Sequence, residues 1–145
     1  MTDGSGFRLH VPQIPMDAVE RYHHAWLLLE GRQPRDAIAV LDPAVEAEPD
    51  STSLRTLRAW AYFQSAHLTG AETDLRMIVA ERPTDVWARF ALGRTLERQS
   101  RLQDALPHLR LAAAMSGDPE HETAVLRVER RLAEVGHTSY DDLTD

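Results

Sequence analysis

Seven histidines and 23 carboxylates are the residues of this 145-residue chain that could do acid–base or metal chemistry. Their spacing does not gather them. His23 and His24 are adjacent, so on a helix they point about 100° apart and cannot share an ion. His67, His108, His121 and His137 fall in different segments, and no two histidines stand four apart. There is no cysteine, which removes disulfides, thiolate nucleophiles and zinc–cysteine sites together. No G-x-S-x-G, glycine-rich phosphate loop or H-E-x-x-H occurs, so the common hydrolase, nucleotide and metalloprotease signatures are missing. The carboxylates are scattered as solvated surface charge usually is. The expectation is a protein that is not an enzyme and holds no metal or cofactor.

Composition narrows the remaining classes. The length fits one domain, and 43% hydrophobic residues can form a core. A net charge of -7 argues against nucleic acid as a partner, which calls for a basic surface. No apolar run approaches the roughly 18 residues that span a membrane. The stretch "MTDGSGFRLHVPQIP" lacks a signal-like apolar run, so a soluble cytoplasmic protein is expected. All 16 basic residues are arginine. That bias suits a GC-rich genome, such as an actinomycete's.

The elements that must position any binding residue announce themselves by a period. Small residues recur at Ala25, Ala59 and Gly93, each 34 apart, and again at Ala37, Ala71 and Ala105. Large apolar residues keep step at Leu41, Leu75 and Leu109, and at Leu28, Tyr62 and Leu96; Pro49 and Pro83 do the same, with Gly117 in the third slot. Antiparallel helices approach closely only where facing side chains are small, and the larger residues fill the space around the contact.

The period and the residues resemble the tetratricopeptide repeat, a helix-turn-helix unit. The third copy reads "LGRTL" from Leu92 and "ALPHL" from Ala105. The second reads "AWAY" from Ala59, "AETDL" from Ala71, then Pro83; the first reads "AWLL" from Ala25, "AIAVL" from Ala37, then Pro49. The resemblance covers roughly Ala18 to Asp118. It implies an all-α solenoid of three helical hairpins, with repeats at about 18–51, 52–85 and 86–118. A C-terminal capping helix over 119–135 would follow, giving a solenoid over 17–136. Residues 1–16 would be an extended or mobile tail and 137–145 an acidic tail.

Helix punctuation predicts helices near 17–30, 34–47, 52–66, 70–81, 85–99, 101–115 and 119–135. "DAVE" from Asp17, "TGAE" from Thr69 and "SRLQ" from Ser100 have capping-box form. Pro34 suits a first helical turn. Asp118 and Pro119 should open the last helix and Gly136 close it. Leu126 keeps the register of Leu92, whereas Arg127 stands where a small residue is needed, as befits a cap. Pro43 should kink or end its helix. Arg21, Arg55 and Arg89 occupy a position that is often apolar in the family. Their stems should lie on apolar surface and their heads pair with nearby acids.

The resemblance also implies a concave face made by the first helices. In the family that face is carried by positions 2, 5, 9, 12 and 13 of each copy, counted here from Ala18, Thr52 and Val86. Six of the nine aromatic residues fall on it: Tyr22, Trp26, Trp60, Phe63, Trp87 and Phe90. Arg94 and Arg98 add a basic edge one turn apart. An aromatic groove of this kind suits a protein or peptide segment, apolar along its length with an acidic end. In a tight superhelix the rings would instead pack on neighbouring first helices. Family members that clamp a terminal carboxylate use Lys and Asn, and this chain has neither. Self-association, as a homodimer through the groove or the tail, is the alternative. "GFRLHVPQIP" alternates apolar residues at Phe7, Leu9 and Val11 and could dock in a groove or remain mobile.

Overall fold

Where the small residues recur, helices meet. The structure, a computed structural model, describes residues 17–141, with side chains to residue 136. Its elements are α1 (Ala18–Glu30), α2 (Pro34–Ala47), α3 (Thr52–Gln64), α4 (Leu68–Glu81), α5 (Val86–Arg98), α6 (Leu102–Ser116) and α7 (Pro119–Asp141). Each helix packs on the next in sequence, and α1 also touches α3. Ala25, Ala37, Ala59, Ala71 and Ala105 are fully buried at these contacts, as are Leu41, Leu75 and Leu109. Gly93 marks the tightest approach: a Cβ there would lie 2.6 Å from Leu109 Cδ2 and 3.2 Å from the Leu109 backbone nitrogen.

Capping of the first helices keeps the period. Asp17, Ser51 and Asp85 accept from the backbone N–H of Glu20, Leu54 and Ala88, at 2.8, 3.3 and 3.0 Å. The boxes expected at Thr69 and Ser100 do not form. The caps are His67 and Arg101, without a side-chain bond, and Thr69 lies inside α4. The turn geometry displaces them. Arg32, Ala66 and Ser100, each 34 apart, are left-handed at φ 55, 59 and 61°. After each, an amide reaches back five residues: Gln33 to Leu28 O, His67 to Tyr62 O and Arg101 to Leu96 O, at 2.8 to 3.0 Å. This is the Schellman closure, which usually employs glycine.

Pro43 does not end α2, which runs on to Ala47. Pro43 and Ala39 are both exposed, so the carbonyl that loses its donor lies on the side open to solvent. Asp118 opens α7 as expected, its Oδ1 accepting from Glu120 N at 2.9 Å. Gly136 does not close it; the helix continues to Asp141. The register also breaks in α7. Leu92 is 1% exposed but Leu126 is 65% exposed. The helix has turned to bury Ala124 and Val128, with Val125 and Leu132 against the same core. The readings made for residues 1–16 and 142–145 lie outside the described residues.

Candidate functional site: an aromatic face and its cleft

The odd-numbered helices run in the same direction, because each hairpin reverses the chain once. Their aromatic side chains meet across copies. Tyr22 stacks on Trp26 at 6.4 Å between centroids, and Trp26 meets Trp60 edge-on at 5.5 Å. This ladder divides the face. Toward the helix N-termini lies a shallow cleft of about 290 Å³ beside Tyr22 and Ser53. Toward the C-termini lies a larger one of about 910 Å³, lined by Trp60, Phe63 and Arg98 together with Glu30, Arg32 and Gln64. The rings are thus partly packed on one another, yet Trp26 stays 39% and Trp87 41% exposed.

Phe90 is differently placed. It stacks on His121 of α7 at 4.1 Å and packs against the core, so α7 covers it. The ring of Trp87 joins no aromatic pair among the described residues.

Charge at the large cleft is held in place. Arg98 lies over the Phe63 ring, 4.9 Å from its centroid, and donates to Phe63 O at 3.1 Å. Gln64 donates to Leu29 O at 3.3 Å. Neither Arg98 nor Arg32 is in an ion pair among the described residues. Arg32 was not on the predicted face. It enters the cleft because it is the left-handed residue of the first turn, a signal visible only as an unmarked place in the 34-residue period.

Arg94 is engaged elsewhere. Its guanidinium bonds to Glu97, which also accepts from Arg127 Nε at 2.6 Å and Nη2 at 2.9 Å. Arg131 stands 3.9 Å away. Burial alone would raise the Glu97 carboxyl, but hydrogen bonds from Arg127 and Arg94 outweigh it and hold it below the ordinary value. This cluster ties α7 to α5.

Two of the three periodic arginines serve the scaffold. Arg55 is buried and donates through Nη2 to Pro49 O; Arg89 donates to Pro83 O at 3.1 Å. Each thus holds the proline of the preceding loop. The acid expected beside Arg55 is Asp74, at 3.9 Å, but Asp74 is chiefly bound by Arg58 through two bonds of 2.8 Å. Arg89 meets His108 instead, at 3.3 Å. Burial, then Arg89, pushes His108 below its ordinary value, so it accepts as a neutral ring. Arg21 is half-buried.

Among the described residues no group of histidines and carboxylates could hold a metal ion, and no helix is long and apolar enough to cross a membrane. Stacked helical hairpins with a side-chain-lined inner face define a helical-repeat solenoid, a fold class that offers extended binding surface. The tetratricopeptide repeat profile matches residues 22–86 and 56–120. The chain belongs to that family. Solved structures share the fold. The first tetratricopeptide domain of Spaghetti (RPAP3) bound to the HSP90 peptide SRMEEVD is 20% identical, with TM-score 0.75, covering 80% of this chain and 93% of that one. A MamA D159K mutant is 17% identical, with TM-score 0.74 and coverage of 81% and 69%. The Arabidopsis OM64 domain is 17% identical, with TM-score 0.73 and coverage of 79% and 95%. No curated protein matches the sequence.

Proposed function

We propose that this chain is a non-catalytic, cytoplasmic interaction module. It holds an acidic, partly apolar protein segment in the cleft between Trp60, Phe63, Arg32 and Arg98. The observation that carries this reading is the cleft itself. It is lined by Trp60 and Phe63, and its two arginines, Arg32 and Arg98, outnumber its one acid, Glu30, and are in no ion pair among the described residues. Aromatic surface supplies area at low entropic cost, and an unpaired guanidinium is matched to a carboxylate. The Spaghetti domain's printed ligand, SRMEEVD, has this mixture of acids and apolar residues. The residues here differ from a Lys/Asn clamp, so a different sequence should be preferred.

Tyr22 and Trp26 on α1 extend the aromatic surface; Trp87 and Phe90 lie in the first turns of α5, with Phe90 under α7. Arg94 has its charge answered by Glu97, which leaves Arg98 and Arg32 to read the acidic end.

Selection from a displayed random-peptide library tests this. Enriched peptides should carry Asp or Glu beside Leu, Met or an aromatic residue. Binding should weaken at least about tenfold in Trp60→Ala and in Arg98→Gln. Equal enrichment by wild type and both variants would move binding off this cleft.

A further inference from the structure

The opposite edge of the solenoid presents the chemistry that the cleft fits. Across the end of α2 and the loop after it the chain reads Glu46-Ala47-Glu48-Pro49-Asp50, and all five residues are exposed. None of the three carboxylates is in an ion pair or a side-chain hydrogen bond among the described residues. Arg55 donates to Pro49 O, so this corner is held in one shape before anything meets it, which lowers the entropic cost of association. Glu46 and Glu48 stand at the C-terminal end of α2, where the helix dipole disfavours negative charge, so they do not serve the stability of that helix. The corresponding loops are less suited. Arg82 stands in the second, where Asp85 caps α5; in the third, Asp118 caps α7.

This corner cannot meet the cleft of its own molecule. It leads into the N-terminus of α3, whereas Trp60, Phe63 and Gln64 stand in the last turns of that helix. The 13 residues of α3 hold the two apart by about 18–20 Å. Helices α1 and α5 run parallel to α3, so Arg32 and Arg98 stand at its far end as well. The unpaired acids and the unpaired arginines can meet only between molecules.

We infer that residues 46–50 of one molecule seat in the Arg32–Arg98 cleft of a second copy, with the carboxylates on the two guanidinium groups and Pro49 against Trp60 and Phe63. The contact rests on the cleft reading above. Unlike patches at opposite edges meet, so each bound molecule still presents one free cleft and one free corner. Self-association therefore continues past the dimer, and a partner segment of similar chemistry competes with it.

Sedimentation velocity of the full chain over a concentration series reads this directly. Wild type should gain mass with concentration. One variant removes the acids, Glu46→Gln with Glu48→Gln and Asp50→Asn; the other removes the cations, Arg32→Gln with Arg98→Gln. Each is checked for helix content, and each alone should weaken association about tenfold or more. Mixed in equal amounts, they retain one intact cleft and one intact corner, and should form a dimer and stop there. A wild type that stays monomeric, assembly that survives in either variant, or a mixture that forms no dimer overturns the inference. A peptide selected on the cleft separates this failure from that of the cleft itself. With wild type assembled, the peptide should return it to monomer. With wild type monomeric, a shift of tryptophan emission that is absent in the arginine variant removes self-association and leaves the cleft reading standing. No shift in either removes both.

Discussion

Asp74 and Arg55 show how little a buried charge reveals about its worth. Asp74 receives two short bonds from Arg58. Arg55, nearly as buried, leaves Nε and Nη1 without hydrogen-bond partners. Removing the acid leaves buried Arg55 with no carboxylate and Arg58 with only Asp42, at 3.3 Å; removing Arg55 leaves Asp74 still held by Arg58. Asp74→Ala should therefore cost about 3 kcal/mol. Arg55→Leu, which returns the position to apolar packing, should stay within about 1 kcal/mol of wild type. Urea melts of the two variants check the contrast, and equal losses would contradict it. Glu97 adds a pH dependence. Its folded carboxyl titrates below the ordinary 4.5, so its contribution is complete above that value and is lost as pH falls through the folded one. Glu97→Gln should cost about 2 kcal/mol at neutral pH and flatten the acid limb of the stability curve. An unchanged acid limb would place the titration elsewhere.

At the scale of elements, the 34-residue period was legible because it records steric necessity. A facing pair of helices fails if Ala25, Ala59 or Gly93 grows, so those columns stand out in the sequence. The left-handed turn residues were not legible, because Arg32, Ala66 and Ser100 lack the glycine that would have marked them. The capping boxes at Thr69 and Ser100 were misread for the same reason: the Schellman turn moves each helix start away from its apparent cap. That Trp26 and Trp60 stand beside each other follows from the repeat positions the resemblance supplies. Arg32 in the cleft and α7 over Phe90 could not be read in this way, since both depend on how separate helices meet. Two glycine exchanges test this division. Gly93→Ala gains helix propensity but forces Leu109 aside, and should lose about 1–2 kcal/mol net. Ala66→Gly relieves a left-handed alanine and should gain up to about 1 kcal/mol. Thermal melts that reverse these signs would mean that the backbone at each site relaxes freely.

The whole molecule has two unequal ends. Its buried apolar residues fall into two groups, one built on α1, α2 and α3, the other running from α3 through α7. Helix α7 closes the second group and is locked by the Glu97 cluster. Nothing among the described residues closes the first. Leu27 is 64% exposed, while its counterparts Ala61 and Thr95 are fully buried. In a solenoid each repeat is stabilised chiefly by its neighbours, so a repeat with one neighbour opens first. Hydrogen exchange should thus run fastest in α1 and α2 and slowest in α5 and α6. Glu97→Gln should speed α7 and leave α1 and α2 unchanged. The binding reading makes a further demand on the same experiment. The large cleft joins the C-terminal ends of α1, α3 and α5, so an occupant spans the weak end and the strong one. A saturating peptide selected on the cleft should slow exchange in α1 and α2 more than in α5, because the freer hairpin has more opening to lose. Uniform slowing would mean that the peptide sits on the solenoid without bridging its ends, and no slowing that it does not use the cleft.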